Sequence, residues 1–183
     1  ALFLLFERGK AMQEAVPVGQ GSMIAVLGSK IDEVTNLIKL KDDNKGVCEI
    51  ANDNAVGQII VSGNKNNIDS FQKILKEKKI KSIPLKVSAP FHCALMRPAA
   101  KIMEEKINTT KFNKPLFKII NNVTALPEED PAIIKKLLIE QICSTVKWRE
   151  SIINMSDKGV KNFVEIGPGK ALTGMVKRTV KES

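Results

Sequence analysis

The 183-residue chain has no tyrosine, one tryptophan and one histidine, and aromatic residues make up only 4% of it. Its core must therefore rest on Ile, Leu, Val, Met and a few Phe. Cysteine is scarce too. Cys48, Cys93 and Cys143 make an odd number without metal-ligand spacing, which argues against a disulfide framework and for a reducing, cytoplasmic compartment. No apolar run reaches membrane-spanning length. The apolar opening Leu2 to Phe6 is too short for a secretory signal and has no basic residue ahead of it. The chain also lacks any Gly-x-Ser-x-Gly segment, so it carries no nucleophile elbow. Gly169-Lys170 lacks the spacing of a phosphate-binding loop. Neither a metal nor a cofactor is expected.

Basic residues are in excess: 29 Lys and Arg against 20 Asp and Glu give a formal charge of +9. They are scattered among acids, as in Lys101 to Lys106, and no basic stripe is interleaved with aromatics. Nucleic acid is therefore not an expected partner. A solvated basic surface accounts for the balance, as does an acidic protein or a phosphorylated partner. The length allows one domain, or one domain with a small inserted subdomain. The chain opens at Ala1 and reaches its first methionine at Met12, so a fragment or processed product is expected.

Hydrophobic periodicity predicts a helix over 1–15, ended before Pro17. The Gly19-Gln20-Gly21 turn then opens a new unit. Met23 to Leu27, Val47 to Ala51, Gln58 to Val61 and Ile83 to Val87 read as strands, the last an edge strand because of Pro84. Ile31, Val34, Leu37 and Ile38 share one helical face, and Ile68, Phe71, Ile74 and Leu75 share another. The resulting β-α-β-β-α-β order over about 19–87 is a ferredoxin-like split unit. Beyond it, helices are expected from Met96, Pro131, Trp148 and Ala171, and strands at Leu116 to Val123 and Phe163 to Ile166. This alternation predicts an α/β layer with parallel pairing.

His92 is the one side chain that titrates near neutral pH at its unperturbed pKa. It follows Ser88-Ala89-Pro90-Phe91 and precedes Cys93-Ala94-Leu95-Met96-Arg97-Pro98. This stretch resembles the active-site histidine motif of malonyl-CoA:acyl-carrier-protein transacylases. Five other segments carry the same resemblance, in order, one of them Asn121-Asn122-Val123. Arg8-Gly9-Lys10-Ala11-Met12-Gln13-Glu14-Ala15-Val16-Pro17 is similar to the family's arginine segment. Asn52-Asp53-Asn54-Ala55-Val56-Gly57-Gln58 is similar to its Asn-x-Asn turn. Gln141 to Trp148 matches its glutamine segment, with Cys143 and Thr145 as departures, and Glu165 to Gly174 its strand-turn-helix.

The resemblance implies a partial α/β-hydrolase-like acyltransferase core, residues 1–18 and 88–183, with an inserted ferredoxin-like subdomain, residues 19–87. It implies malonyl transfer from malonyl-CoA to the phosphopantetheine thiol of acyl carrier protein through a serine acyl-enzyme. His92 is then the general base, and the backbone carbonyl of Gln141 orients it. Arg8 holds the malonyl carboxylate with a planar fork suited to that anion. Met12, Phe91, Asn52 and Asn54 are the further substrate-contacting candidates. On the residues alone, an ion pair with Glu7 or Glu14 accounts for Arg8, and local turn chemistry for the asparagines. Gly19-Gln20-Gly21-Ser22 looks like the family's oxyanion segment but stands at the wrong place in the order, and is expected to be a turn. Cys93, beside His92, is not expected to be a nucleophile. The family's nucleophile segment precedes its arginine segment, so the serine is expected outside this chain, with a separate chain as one source. The other readings are a non-catalytic binding module and an acyltransferase for a different acyl group.

Overall fold

Met23 to Val26 are all buried because their strand, β1 (Gly21–Leu27), is covered on both faces of a four-stranded sheet. The computed structural model describes residues 1–40 and 46–180. On one face of the sheet, Ile24 and Val26 pack with Val34 and Leu37 of α2 (Ile31–Lys39) and with Ile68, Phe71 and Leu75 of α3 (Lys65–Glu77). On the other, Met23 and Ala25 join Ala51 and Ile60, backed by half-buried Leu85 and Phe91. Burying each such Leu, Ile or Phe contributes about 1.5–3 kcal/mol.

The sheet order is β2 (Cys48–Ala55), β3 (Gln58–Asn64), β1 and β4 (Lys81–Pro84), with antiparallel neighbours throughout. Strands and helices follow the expected β-α-β-β-α-β order. Pro84 lies on β4, an edge strand, where its missing N–H costs the ladder little.

A second core gathers Ala11 and Met12 of α1 (Leu2–Glu14), Val16, Ile142, and Ala99, Met103 and Ile107 of α4 (Arg97–Thr109). The half-buried Phe91 packs against both this core and the cleft-side face of the sheet. α5 (Pro131–Glu140) starts at Asp130, whose carboxylate accepts from the Ala132 N–H at 2.7 Å, with Pro131 filling the first helical position. α6 (Trp148–Asp157) and α7 (Ala171–Thr179) complete the fold. The Glu165 carboxylate accepts from the N–H groups of Leu172 and Thr173 and from the Thr173 hydroxyl, at 3.2, 2.9 and 2.6 Å. These bonds hold its pKa below the usual carboxylate value and close the first turn of α7. No helix among the described residues is long and apolar enough to cross a membrane.

The structure differs from the sequence reading at five places, the first being β4, which covers Lys81–Pro84 and leaves Leu85 to Val87 outside the strand expected over Ile83 to Val87. Leu116 to Val123 forms only a two-residue strand, β5 (Ile119–Ile120), paired with β6 (Pro127–Glu128); Leu116 and Phe117 are 92% and 82% exposed. Phe163 to Ile166 is not a strand, and Val164 and Ile166 are 83% and 94% exposed. A strand exists by virtue of its ladder, and the described residues give the first run a partner only at Ile119 and Ile120 and the second run none. For the same reason the expected parallel pairing is reduced to one bridge, between Asn52 and Val146. Finally, Asn52 and Asn54 do not form a turn. β2 continues through both to Ala55, and Val56-Gly57 makes the turn, with Gly57 at φ 72°. Pairing with β3 overrides the local preference of Asn for turns.

β1 begins against the loop that carries the histidine. A Cβ on Gly21 would fall within the Pro90 ring, whose fixed geometry cannot swing away. Gly21→Ala should therefore lower the unfolding free energy by about 1–3 kcal/mol. Gly9, exposed on α1 with nothing within 4 Å of its Cβ position, is the control. Gly9→Ala should raise stability by roughly 0.5–1 kcal/mol. Urea unfolding of the two variants measures both, and effects of the same sign would contradict this packing account.

Candidate active site

His92 is held in a left-handed backbone conformation, φ 58°, which costs a non-glycine residue about 1–2 kcal/mol. Its flanks fix it there. Cys93 is fully buried and its thiol donates to the Pro90 carbonyl at 3.2 Å. The next N–H, of Ala94, donates to Glu49 Oε2 at 2.9 Å. The ring is anchored by Nδ1, 2.9 Å from the backbone carbonyl oxygen of Gln141. A carbonyl can only accept, so the neutral ring carries its proton on Nδ1 and leaves Nε2 as a base. This is the orienting bond that the sequence assigned to Gln141. The carbonyl belongs to the C-cap residue of α5.

His92 opens into a cavity of about 440 Å³ that also holds Arg8, Asn52, Asn54, Gln141 and Trp148 in its walls. α1 brings Arg8, β2 brings the two asparagines and α6 brings Trp148. Five of the seven residues singled out in the sequence thus meet in one place. Met12 and Phe91 do not reach the wall. Met12 is buried on α1 in the core behind it, and Phe91 packs inward beneath the histidine loop.

The sequence left Arg8 with an ion-pair alternative, and the structure closes it for Glu7, whose carboxylate binds Lys106 at 2.7 Å. Among the described residues no side chain pairs with Arg8, and burial lowers its pKa from the ordinary value. Burial also lowers the pKa of His92, the Gln141 carbonyl raises it, and the positive charge of Arg8 lowers it further. The cavity therefore presents one guanidinium and a neutral imidazole, an environment that favours an anion.

The sequence matches the family described as "Acyl transferase domain" over residues 1–183. The chain belongs to the acyl transferase family. It is 38% identical over 179 residues to the malonyl CoA-acyl carrier protein transacylase of Bacillus subtilis, covering 97% of this chain and 56% of that protein. It superposes on an acyl carrier protein S-malonyltransferase from Vibrio cholerae with a TM-score of 0.94 and 39% identity, covering 98% of this chain and 59% of that one. A malonyl-transacylase solved in complex with its type II PKS acyl-carrier protein gives 0.94 and 34%, covering 98% and 58%. The chain thus spans between 56% and 59% of the length of these three relatives. The resemblance read from the sequence to malonyl-CoA:acyl-carrier-protein transacylases agrees with all three.

Within this acyl transferase fold, Asn122, named in the sequence only as part of a matching segment, shares the wall with the residues above, as do Leu138, Val146, Leu172 and Met175, which the sequence reading did not assign to the site. It also missed Arg149, which grips the buried carboxylate of Asp53 with Nε at 3.0 and 2.9 Å and Nη2 at 2.8 Å. That carboxylate raises the Arg149 pKa further. Asp53 stands between the two asparagines of the Asn-x-Asn segment, and an acid at the x position with a basic residue following Trp148 was the available signal. Cys93 behaves as expected. Burial pushes its thiol pKa up, so it is a core residue and no nucleophile. The indole Nε1 of Trp148 is enclosed without a hydrogen-bond partner.

His92 is the only histidine, so one ring resonance reports on the site. Its titration midpoint in a proton NMR series should lie below the ordinary 6.5. In Arg8→Gln it should move back up, because a repelling charge is gone. The sign for stability follows. A folded pKa below the unfolded one means the unfolded chain binds more protons, so the His92 contribution is complete above about pH 6.5. It is lost as pH falls from there through the folded value. His92→Gln should flatten that part of a stability-against-pH curve, and an unchanged curve would refute the burial of a neutral ring.

Proposed function

We propose that this chain carries the histidine and acyl-recognition half of a malonyl-CoA:acyl-carrier-protein transacylase. The observation that supports this most is the cavity shared by a backbone-oriented imidazole and an arginine that no carboxylate pairs among the described residues. No serine lines that cavity among the described residues, so the acyl-accepting serine belongs to a segment outside these 183 residues. On this reading residues 19–87 form the small ferredoxin-like subdomain, and residues 1–18 with 88–183 form the larger acyltransferase unit of an α/β-hydrolase-like core. Three free cysteines suit a cytoplasmic enzyme.

The chemistry balances as a two-step exchange. His92 Nε2 takes the proton of the serine hydroxyl as the oxygen attacks the malonyl thioester carbonyl. The carbon–sulfur bond breaks, the coenzyme A thiolate leaves and takes the proton from the imidazolium, and malonyl remains as a serine ester. In the return step His92 deprotonates the carrier-protein phosphopantetheine thiol, whose sulfur attacks the ester. The serine oxygen leaves and recovers the proton. Throughout, Nδ1 keeps its proton and donates it in a hydrogen bond to the Gln141 carbonyl, which supports the imidazolium as the carboxylate of a serine triad does. Arg8 grips the free malonyl carboxylate and rejects neutral acyl groups, whose place would leave its charge unmatched. The relative solved with its acyl-carrier protein and the basic balance of this chain support an acidic carrier protein as acceptor.

Calorimetric titration tests the acyl assignment on the chain itself. Malonyl-CoA should bind more tightly than acetyl-CoA, and Arg8→Ala should remove that preference at a cost of about 2–4 kcal/mol to malonyl-CoA alone. Equal affinities for the two thioesters in the unsubstituted chain would overturn the role of Arg8. Intact-mass analysis after malonyl-CoA exposure should show no acyl adduct. A stable malonyl ester on any serine of the chain would place the nucleophile inside it.

A further inference from the structure

β2 is held weakly where it matters most. Its register against β3 shifts twice, between Ile50 and Asn52 and between Asp53 and Ala55. Each shift inserts an extra residue, leaves a backbone group without its ladder partner and re-aims the side chains nearby. The segment between the two shifts is Asn52-Asp53, and Asn52 and Asn54 are the residues of β2 in the cavity wall. β3 alone therefore does not fix their aim.

The other edge of β2 supplies the missing constraint. The Val146 N–H donates to the Ala51 carbonyl at 2.8 Å, and the Asp53 N–H donates to the Val146 carbonyl at 3.0 Å. Three residues on, in the first turn of α6, Arg149 closes a two-oxygen fork on the Asp53 carboxylate. Asp53 is thus tied to one short segment by backbone and by side chain. Its side chain is 6% exposed and that of Arg149 28%, which shields the pair from the screening that makes surface pairs weak. Trp148, between the two ties, lines the same cavity.

We infer that Asp53 and Arg149 are positioning residues: their ion pair latches β2 to α6 and so sets the aim of Asn52 and Asn54 toward the occupant of the cavity. The latch rests on the proposed function only for the identity of that occupant. The asparagine amides offer both donors and acceptors to a polar ligand, and neither Asp53 nor Arg149 touches it.

The test uses the 183-residue chain in two variants. Arg149→Gln opens the fork but leaves a buried carboxylate. Asp53→Asn combined with Arg149→Gln removes both charges and keeps the fold accessible if the single variant fails. Amide hydrogen exchange is read at Asp53 and Val146 on the seam and across β1 in the sheet centre. Malonyl-CoA affinity is read by calorimetry and the His92 midpoint by NMR. Exchange at the seam should quicken by about tenfold or more, while β1 stays protected. Malonyl-CoA should bind about tenfold more weakly with the His92 midpoint unmoved, since the Gln141 bond does not pass through the latch. Unchanged seam exchange overturns the inference, and so does a loosened seam with undiminished affinity. Equal quickening across β1 reduces the pair to a general stabiliser and overturns it as well. If the unsubstituted chain binds no malonyl-CoA, the proposed function fails on its own, and the latch is then decided by seam exchange alone.

Discussion

The edge of β2 is the constraint on which the rest of the site depends. An edge strand exposes unpaired N–H and C=O groups, and here that edge is occupied by the segment Thr145-Val146. The Thr145 hydroxyl donates to the Ile50 carbonyl at 2.6 Å, and Val146 exchanges bonds with Ala51 and Asp53. The seam does more than satisfy backbone groups. It fixes the residues after α5 against the sheet, while Gln141, at the C-cap of that helix, presents its carbonyl to His92 on its own account. Lys147 N–H donates in turn to the Asn122 carbonyl at 2.9 Å, which brings Asn122 into the same wall. Sheet, α5 and α6 meet at one short stretch of chain, and the cavity is the space this meeting leaves.

Electrostatics divide sharply between the seam and the cavity. Behind the wall charges are matched: Asp53 with Arg149, Glu7 with Lys106, Glu49 with the Ala94 N–H. Inside it, Arg8 is unmatched and His92 is kept neutral. A half-buried guanidinium without a partner is unfavourable for the empty protein, and a backbone strained at His92 adds to that. An unmatched, half-buried guanidinium and a strained histidine meeting in one cavity mark a site shaped by what it binds and not by what stabilises the chain.

The sheet with its two helices was legible in the sequence because both periodicities there are clean. Ile24 and Val26 alternate, and Val34, Leu37, Ile68, Phe71 and Leu75 fall at helical spacing. Arg8, His92 and Gln141 were legible as motifs, each with a side chain or carbonyl suited to one task. The runs around Leu116 and Phe163 were misread for a physical reason: an apolar run states that it needs cover, not which neighbour supplies the ladder. The asparagines were placed in a turn because their local preference was visible and their pairing with β3 was not. Asp53 stands inside a legible motif segment and Arg149 directly follows one, but 96 residues separate them, and nothing local says that two charges so far apart will share a fork.

The exposed apolar faces and the completed polar site bear on each other. Leu116, Phe117, Val164 and Ile166 are bare in this chain, while His92, Gln141 and the β2 seam are already bonded. The bond that His92 donates uses only the C-cap carbonyl of α5 and the histidine's own loop, and the seam uses only β2, the Thr145-Val146 segment and the start of α6. The geometry of the base is therefore set without contribution from whatever covers those apolar faces. What such a cover changes is the dielectric around the cavity. Excluding water would strengthen both the pull of Arg8 on a carboxylate and the preference of His92 for its neutral form. The chain fixes which atoms face the ligand, and the surroundings of its bare faces set how strongly those atoms act.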